Sequence, residues 1–273
     1  MSKRNNVDSI IDGKSLFLIA GPCVIESEEL CFRVAHKLKE LSEKYDIPLI
    51  FKSSYAKANR LSGDSFAGRG IDFGLTVLQK VGQEFGLPIL TDVHETPEIN
   101  LAAQVADILQ IPAFLSRQTE LVRQAAATGK WINIKKGQFL APEDMDKIAA
   151  KAQSGKVMLT ERGSSFGYHN LVVDFRSLLI MRKFGYPVIF DATHSLQLPG
   201  GGGKISSGQP EFIIPFARAA VAIGVDGLFV ETHPEPAKAL SDSATMLPLA
   251  SMEMLVSEVW KIRQLQEMTG DKL

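Results

Sequence analysis

The sequence predicts a single (β/α)8 barrel of the TIM type, with a short N-terminal extension and one catalytic domain spanning residues 1–273. Three observations lead there. Eight short β-rich apolar runs recur along the chain, at Ser15–Ala20, Pro48–Lys52, Pro88–Val93, Asp107–Pro112, Trp131–Lys135, Lys156–Thr160, Pro187–Asp191 and Gly227–Glu231. Their near-continuous hydrophobicity suits parallel strands covered on both faces, not half-solvated antiparallel ones. Between them lie stretches of helical spacing, so βα units repeat at roughly thirty residues, the size of a barrel repeat.

Taken in order, the first strand ends in Gly21-Pro22-Cys23, and a helix follows over Glu28–Lys44 with Leu30, Val34, Leu38 and Leu41 on one face. The second strand ends in Lys52-Ser53-Ser54 and the third in Asp92-Val93-His94-Glu95. The fourth carries Gln110 and leads into Arg117-Gln118, the fifth ends in Lys135-Lys136-Gly137-Gln138, and the sixth in Glu161-Arg162-Gly163. The seventh gives Asp191-Ala192-Thr193-His194 and the eighth Glu231-Thr232-His233. A last helix is predicted over Leu247–Met268, its apolar face formed by Leu249, Met252, Val256, Val259 and Ile262. No linker divides the chain, and the run Gly200–Gly203 falls inside a βα connection. An open doubly wound sheet would want a Gly-rich phosphate turn after the first strand, and Gly21-Pro22-Cys23 lacks its spacing.

Composition narrows the function. A formal charge of −1, with 22% charged residues, supplies no global field for nucleic acid or an acidic membrane surface. No uncharged apolar run approaches the ~20 residues of a membrane helix. The start MSKRNNVDSIIDGKS is polar, and only two cysteines occur, Cys23 and Cys31, so a soluble protein of the reducing cytoplasm is expected.

In a βα-barrel the carboxyl ends of the strands converge on one mouth. Here all eight end in polar or reactive residues. Any one such residue is ordinarily solvated or structural, but eight together point to a site. The cations Lys52, Lys57, Arg60, Arg117, Lys135 and Arg162 would crowd that mouth, a self-repelling arrangement unless anions bind there. The loop Lys52–Gly63 is rich in donors and makes a good phosphate cradle, although its spacing alone also fits an ordinary solvated loop. Cys23, His194, Glu231 and Asp242 offer one thiolate, one imidazole and two carboxylates, a set that suits zinc, iron or manganese better than magnesium. Barrel closure makes the first strand a neighbour of the seventh and eighth, which allows these ligands to meet; spacing does not show that they do. A lone cysteine after an apolar strand is more often a small core residue than a ligand.

The succession IAGPCVIES, KANR, TDVHE, LQIPAFLSRQTE, NIKKGQF, ERGSSFGYHNLVVD, FDATHSLQLPGG, FVETHPEP and LSDSATMLPL resembles the 3-deoxy-D-manno-octulosonate 8-phosphate synthases, from about Ser15 to the last helix. The resemblance implies a homotetrameric barrel that condenses phosphoenolpyruvate with D-arabinose 5-phosphate, releases phosphate and serves lipopolysaccharide synthesis. Carried over by motif, Lys135, Gln138, Arg162, Gln110, Ala113 and Lys52 would surround phosphoenolpyruvate, and Lys57, Asn59 and Arg60 would hold the aldose phosphate. Lys135, Arg162, His194 and Asp242 would carry catalysis. The cysteine of GPC, where a metal-independent branch has asparagine, places the chain in the metal-dependent branch, with Cys23, His194, Glu231 and Asp242 as ligands. The sequence departs from the family where Ala56 replaces an aspartate before the KANR lysine, and where Leu61 and Ser62 follow its arginine in place of two serines. The cations survive this change, whereas polar partners near the sugar are lost.

Two other readings compete. A 3-deoxy-D-arabino-heptulosonate 7-phosphate synthase would use erythrose 4-phosphate and a Lys-Pro-Arg-Thr phosphate loop, against Lys57-Ala58-Asn59-Arg60 here. A non-catalytic sugar-phosphate-binding barrel would need broken catalytic positions, and the lysine, arginine and ligand set is complete.

Overall fold

The computed structural model describes residues 6–11, 15–57, 68–202 and 205–269. Eight parallel strands form one sheet: β1 (Phe17–Gly21), β2 (Leu49–Lys52), β3 (Ile89–Asp92), β4 (Ile108–Ile111), β5 (Trp131–Lys135), β6 (Val157–Glu161), β7 (Val188–Asp191) and β8 (Gly227–His233). Each pairs with the next in chain order, and β1 also pairs with β8, in a register running from Phe17↔Gly227 to Gly21↔Glu231. The sheet is therefore closed. All eight predicted runs are strands, each within a residue or two of its expected bounds.

A short helix α1 (Val7–Ile11) precedes the barrel, and one helix follows each strand: α2 (Glu28–Tyr45), α3 (Ile71–Phe85), α4 (Ile99–Val105), α5 (Thr119–Ala127), α6 (Asp144–Ala150), α7 (Arg176–Arg182), α8 (Ile213–Ile223) and α9 (Met252–Thr269). Local chemistry sets the ends of α2. The Ser27 hydroxyl accepts from Leu30 N at 3.1 Å, Glu28 and Glu29 occupy the first turn, and Asp46 takes the left-handed conformation that ends it. The last helix starts later than expected. Leu247–Pro248 pairs in parallel with the end of β8, and Leu249–Ser251 forms a 3-10 turn before α9 begins at Met252. Leu249, Met252, Val256 and Val259 are buried, so the predicted face is the observed one. Among the described residues no helix is long and apolar enough to cross a membrane.

The period-two alternation of strand side chains positions the site. Leu18, Ala20, Leu49, Phe51, Ile89, Leu109, Ile132, Ile134, Leu159, Phe190, Leu228 and Val230 face outward and join the helices in the main core. Phe17, Ile19, Ile50, Leu90, Ile108, Met158, Ile189 and Phe229 fill the lower barrel interior, and Ile10 and Ile11 of α1 pack against that layer. The extension, read from sequence only as polar, thus plugs the amino-terminal end. Two residues further along most strands the inward positions turn polar: Lys52, Asp92, Gln110, Asn133, Thr160, Asp191 and Glu231 are all buried. The same barrel interior is apolar below and hydrophilic at the carboxyl end, where barrels place their chemistry.

Candidate active site

A hydrogen-bonded chain crosses the upper interior. Thr160 Oγ1 donates to Asn133 Oδ1 at 2.7 Å, Asn133 Nδ2 to Gln110 Oε1 at 2.8 Å, and Gln110 Nε2 to Asp92 Oδ1; the Ser54 hydroxyl donates to Asp92 Oδ2. Five neighbouring barrel units thus fix one carboxylate, which lies 3.6 Å from Lys52 Nζ. Lys52 in turn is 2.8 Å from Glu231 Oε1 and also donates to the Cys23 carbonyl at 3.3 Å. Gly21 makes room for this crossing. A Cβ there would collide with the Lys52 carbonyl oxygen.

On the opposite wall Lys135 Nζ sits 2.7 Å from Asp191 Oδ2, 3.5 Å from His194 Nδ1 and 3.8 Å from the centroid of the Phe229 ring. Asp191 also accepts from His194 N at 2.9 Å and from Thr193 Oγ1 at 3.0 Å, and its Oδ2 stands 2.8 Å from His194 Nδ1. The carboxylate thereby orients the imidazole, whose Nε2 points to Glu231 Oε2 at 3.5 Å.

The electrostatics follow from burial opposed by pairing. Burial favours the neutral acid of Asp191, but His194 and Lys135 outweigh it and hold this carboxyl well below its ordinary range. Glu231 behaves alike, with burial opposed by His194, Lys52 and Lys57. For Asp92 burial is overcome by Lys52, Lys57 and His94, and its pKa is again lowered. Burial lowers the Lys135 ammonium, against the pull of Asp191. Burial works on Lys57 in the same direction, yet the carboxylates of Glu231, Asp92 and Asp242 oppose it, and its pKa is raised. The buried cations are therefore not self-repelling, as their sequence suggests, because carboxylates from β3, β7 and β8 interleave with them.

Arg162 is the exception. Its Nη2 donates to Gln197 Oε1 at 2.8 Å, while its buried Nη1 has no hydrogen-bond partner among the described residues. Burial lowers its pKa, although a guanidinium stays charged. A buried cationic donor with an idle arm beside Lys135's wall is the feature that calls for an anion, and the planar fork suits a carboxylate or a phosphate.

The expected metal ligands meet in part. Ligand atoms of Cys23, Glu231 and Asp242 all lie within 4.8 Å of one another. Cys23 Sγ donates to Asp242 Oδ2 at 2.9 Å and lies 3.0 Å from Ser241 Oγ. His194 stands outside this group and reaches it through Glu231. Asp242 adopts a left-handed backbone (φ 48), a conformation aspartate tolerates better than most residues. Burial, then Asp242 and Glu231, push the Cys23 thiol well up. A soft sulfur and two carboxylates gathered in a buried corner, with the sulfur still protonated, form a donor set that fits a divalent transition metal.

Other expected residues fall in varied places. Gln110 donates to Asp92 and accepts from Asn133, which fixes its side chain in the wall and leaves one amide hydrogen and one lone pair to spare. Ala113, buried, opens the 3-10 turn after β4, and Gln138 is half-buried after β5. Lys57 stands 3.7 Å from Glu231. Asn59, Arg60, Leu61 and Ser62 lie outside the described residues, and Ala56 packs against the main core. Arg117, expected among the mouth's cations, is exposed, with its carbonyl taking a bond from Lys151 Nζ at 2.9 Å. Asp92 and Asp191 entered the sequence reading only as strand-end residues, and Asn133, Thr160 and Phe229 only as members of strands and motifs, with no role at the site. Their common signal is position: each lies inward on its strand by the period-two rule.

Fold and site together define a (β/α)8-barrel enzyme with buried cations and carboxylates interleaved at its mouth. The chain matches the family described as the DAHP synthetase I family over residues 3–267, and it belongs to that family. It is 54% identical over 258 residues to the 2-dehydro-3-deoxyphosphooctonate aldolase of Cyanothece sp. (strain PCC 7425 / ATCC 29141), covering 93% of this chain and 94% of that one. The protein of the same name from Acidithiobacillus ferrooxidans (strain ATCC 53993 / BNL-5-31) is 58% identical over 243 residues, 88% of this chain and 86% of the relative. That from Dichelobacter nodosus (strain VCS1703A) is 55% identical over 257 residues, with 93% of both chains covered.

Proposed function

We propose that this chain is a 2-dehydro-3-deoxyphosphooctonate aldolase, joining phosphoenolpyruvate, D-arabinose 5-phosphate and water into 3-deoxy-D-manno-octulosonate 8-phosphate and inorganic phosphate. The observation that carries the reading is the idle, buried Nη1 of Arg162 in a mouth that also holds Lys135 and Lys52. Shared family and high identity to relatives of that name support it.

In the reaction carbon 3 of phosphoenolpyruvate bonds to the aldehyde carbon, water adds at carbon 2, and the C–O bond breaks so that phosphate leaves. Arg162 and Lys135, with Gln138 and the Ala113 segment, hold the phosphate and carboxylate and orient the enol, a contribution of positioning and electrostatics. Lys52 supplies further positive charge, with Gln110 bracing the wall behind. Lys57, Asn59 and Arg60 take the aldose phosphate. His194, oriented by Asp191, and Asp242 lie where protons must move.

Cys23, Glu231 and Asp242, with His194 alongside, would hold zinc, iron or manganese, which when bound supplies a Lewis acid to polarise the aldehyde or acidify water. The reading extends to a homotetramer in the cytoplasm serving lipopolysaccharide synthesis. The exposed rings of Phe114, Phe139, Phe166 and Tyr168, on the loops that follow β4, β5 and β6, are consistent with subunit contacts.

Incubating the protein with phosphoenolpyruvate and following both enol absorbance and phosphate release tests the reading. Consumption should require a phosphorylated aldose and release one phosphate per enol lost. Consumption without any aldose would point to a different reaction.

A further inference from the structure

Lys136 is buried to the same degree as Lys52, yet it takes no part in the site described above. One residue beyond Lys135, it points the other way, out of the barrel wall toward the helices. Its Nζ lies 2.9 Å from Ser164 Oγ, 3.3 Å from the Leu140 carbonyl, 3.5 Å from the Gly163 carbonyl and 3.5 Å from Glu161 Oε1. Glu161 is itself anchored, accepting from Gly163 N at 2.7 Å and from Ser177 Oγ at the start of α7 at 2.7 Å. Burial lowers the Lys136 ammonium, Glu161 opposes this, and Arg162 adds a like charge nearby.

A lysine in such a place is costly, and an apolar side chain of similar length would fill the volume. What the ammonium adds is connection. Its acceptors belong to the two loops that bracket the anion pocket: Leu140 closes the turn carrying Gln138, and Gly163 and Ser164 directly follow Arg162. Ser165 N donates to the Gln138 carbonyl at 2.9 Å, so the loops are joined at a second point.

We propose that Lys136 is a positioning residue for the reaction, a peg behind the barrel wall that holds the Gln138 loop and Arg162 at a fixed separation. Phosphoenolpyruvate then meets a preformed fork. The inference rests on the reading of Arg162 and Gln138 as phosphoenolpyruvate ligands. It assigns Lys136 no contact with substrate. Because its partners contact neither Lys57 nor Cys23 among the described residues, the loss should fall on one substrate only.

The test compares Lys136→Met and Ser164→Ala with the wild type, measuring KM for each substrate and phosphoenolpyruvate affinity by calorimetry without aldose. Lys136→Met should raise the phosphoenolpyruvate KM about tenfold or more and weaken direct binding likewise, with the arabinose 5-phosphate KM changed less than about twofold. Ser164→Ala, which removes one acceptor, should shift the same constants in the same direction by about threefold. A folded Lys136→Met protein that binds phosphoenolpyruvate as the wild type does, or that loses both substrates equally, overturns the proposal. If Lys136→Met does not fold, unchanged constants in Ser164→Ala overturn it. A wild type that binds phosphoenolpyruvate but condenses it with neither aldose phosphate would contradict the functional reading instead, and calorimetry would still judge Lys136.

Discussion

Replacing Lys135 by alanine is expected to lower kcat/KM by about thirtyfold to several thousandfold, equivalent to roughly 2–5 kcal/mol of lost transition-state stabilisation. The lysine is the inward cation at the end of β5, held by Asp191 at 2.7 Å and by the face of Phe229, so it is poised before substrate arrives. Its removal also uncouples a buried ion pair, which the sequence does not reveal. The stability cost is nonetheless limited. Asp191 keeps its donors from Thr193 N at 3.1 Å, Thr193 Oγ1, His194 N and the His194 ring, and a carboxylate so satisfied tolerates the loss of one partner at about 1–3 kcal/mol. Steady-state kinetics beside thermal unfolding separate the two effects. Near-normal turnover in a folded variant would mean that Lys135 serves Asp191 alone.

Removing the metal should have an effect at least as large. A strong chelator is expected to abolish turnover reversibly, and Cys23→Ala to lower bound metal and turnover together while the barrel stays folded. The argument is chemical and topological. β1 and β8 are paired through Gly21↔Glu231, which brings Cys23 beside Glu231, and Asp242 meets both from the loop after β8. Without a cation the Cys23 thiol must stay protonated, because burial and two carboxylates oppose a thiolate there. Metal binding must displace that proton, so it should release protons and tighten as pH rises. Cys23 is buried, but one small side chain at the mouth contributes little core. Metal analysis and assay in chelator decide the matter: full activity in stripped protein would return Cys23 to the role of a core residue.

The strands and most helix faces were legible because burial on both sides of a parallel sheet writes itself as unbroken apolar runs, and because α2 carries both its cap and its stripe. The late start of α9 was not, since the pairing of Leu247–Pro248 with β8 is a tertiary contact that overrides the helical spacing of the same residues. Nor was the plug: Ile10 and Ile11 are two apolar residues in a polar stretch, and only a closed barrel gives them a floor to cover. At the site, residue types showed where chemistry would gather, whereas pairing needed coordinates. Lys52 and Lys135 looked like free cations and are matched by Glu231, Asp92 and Asp191, while Lys136, adjacent to Lys135, faces away. Arg117 follows the fourth strand, where the sequence reads as mouth, and its side chain is exposed and takes no part in the buried network. His194 carries the right chemistry for a ligand, yet in this arrangement it stands one carboxylate away from the cysteine corner.

The most direct test of the central claim compares kcat/KM for D-arabinose 5-phosphate and D-erythrose 4-phosphate, with phosphoenolpyruvate saturating and phosphate release as the signal. The family described for this chain is named for heptulosonate chemistry, whereas its relatives of high identity are named for the octulosonate, so the two aldoses separate the alternatives. The account predicts a clear preference for the five-carbon acceptor, on the order of tenfold or more, the discrimination that about 1.4 kcal/mol provides. Equal use of both aldoses, or a preference for erythrose 4-phosphate, would contradict it.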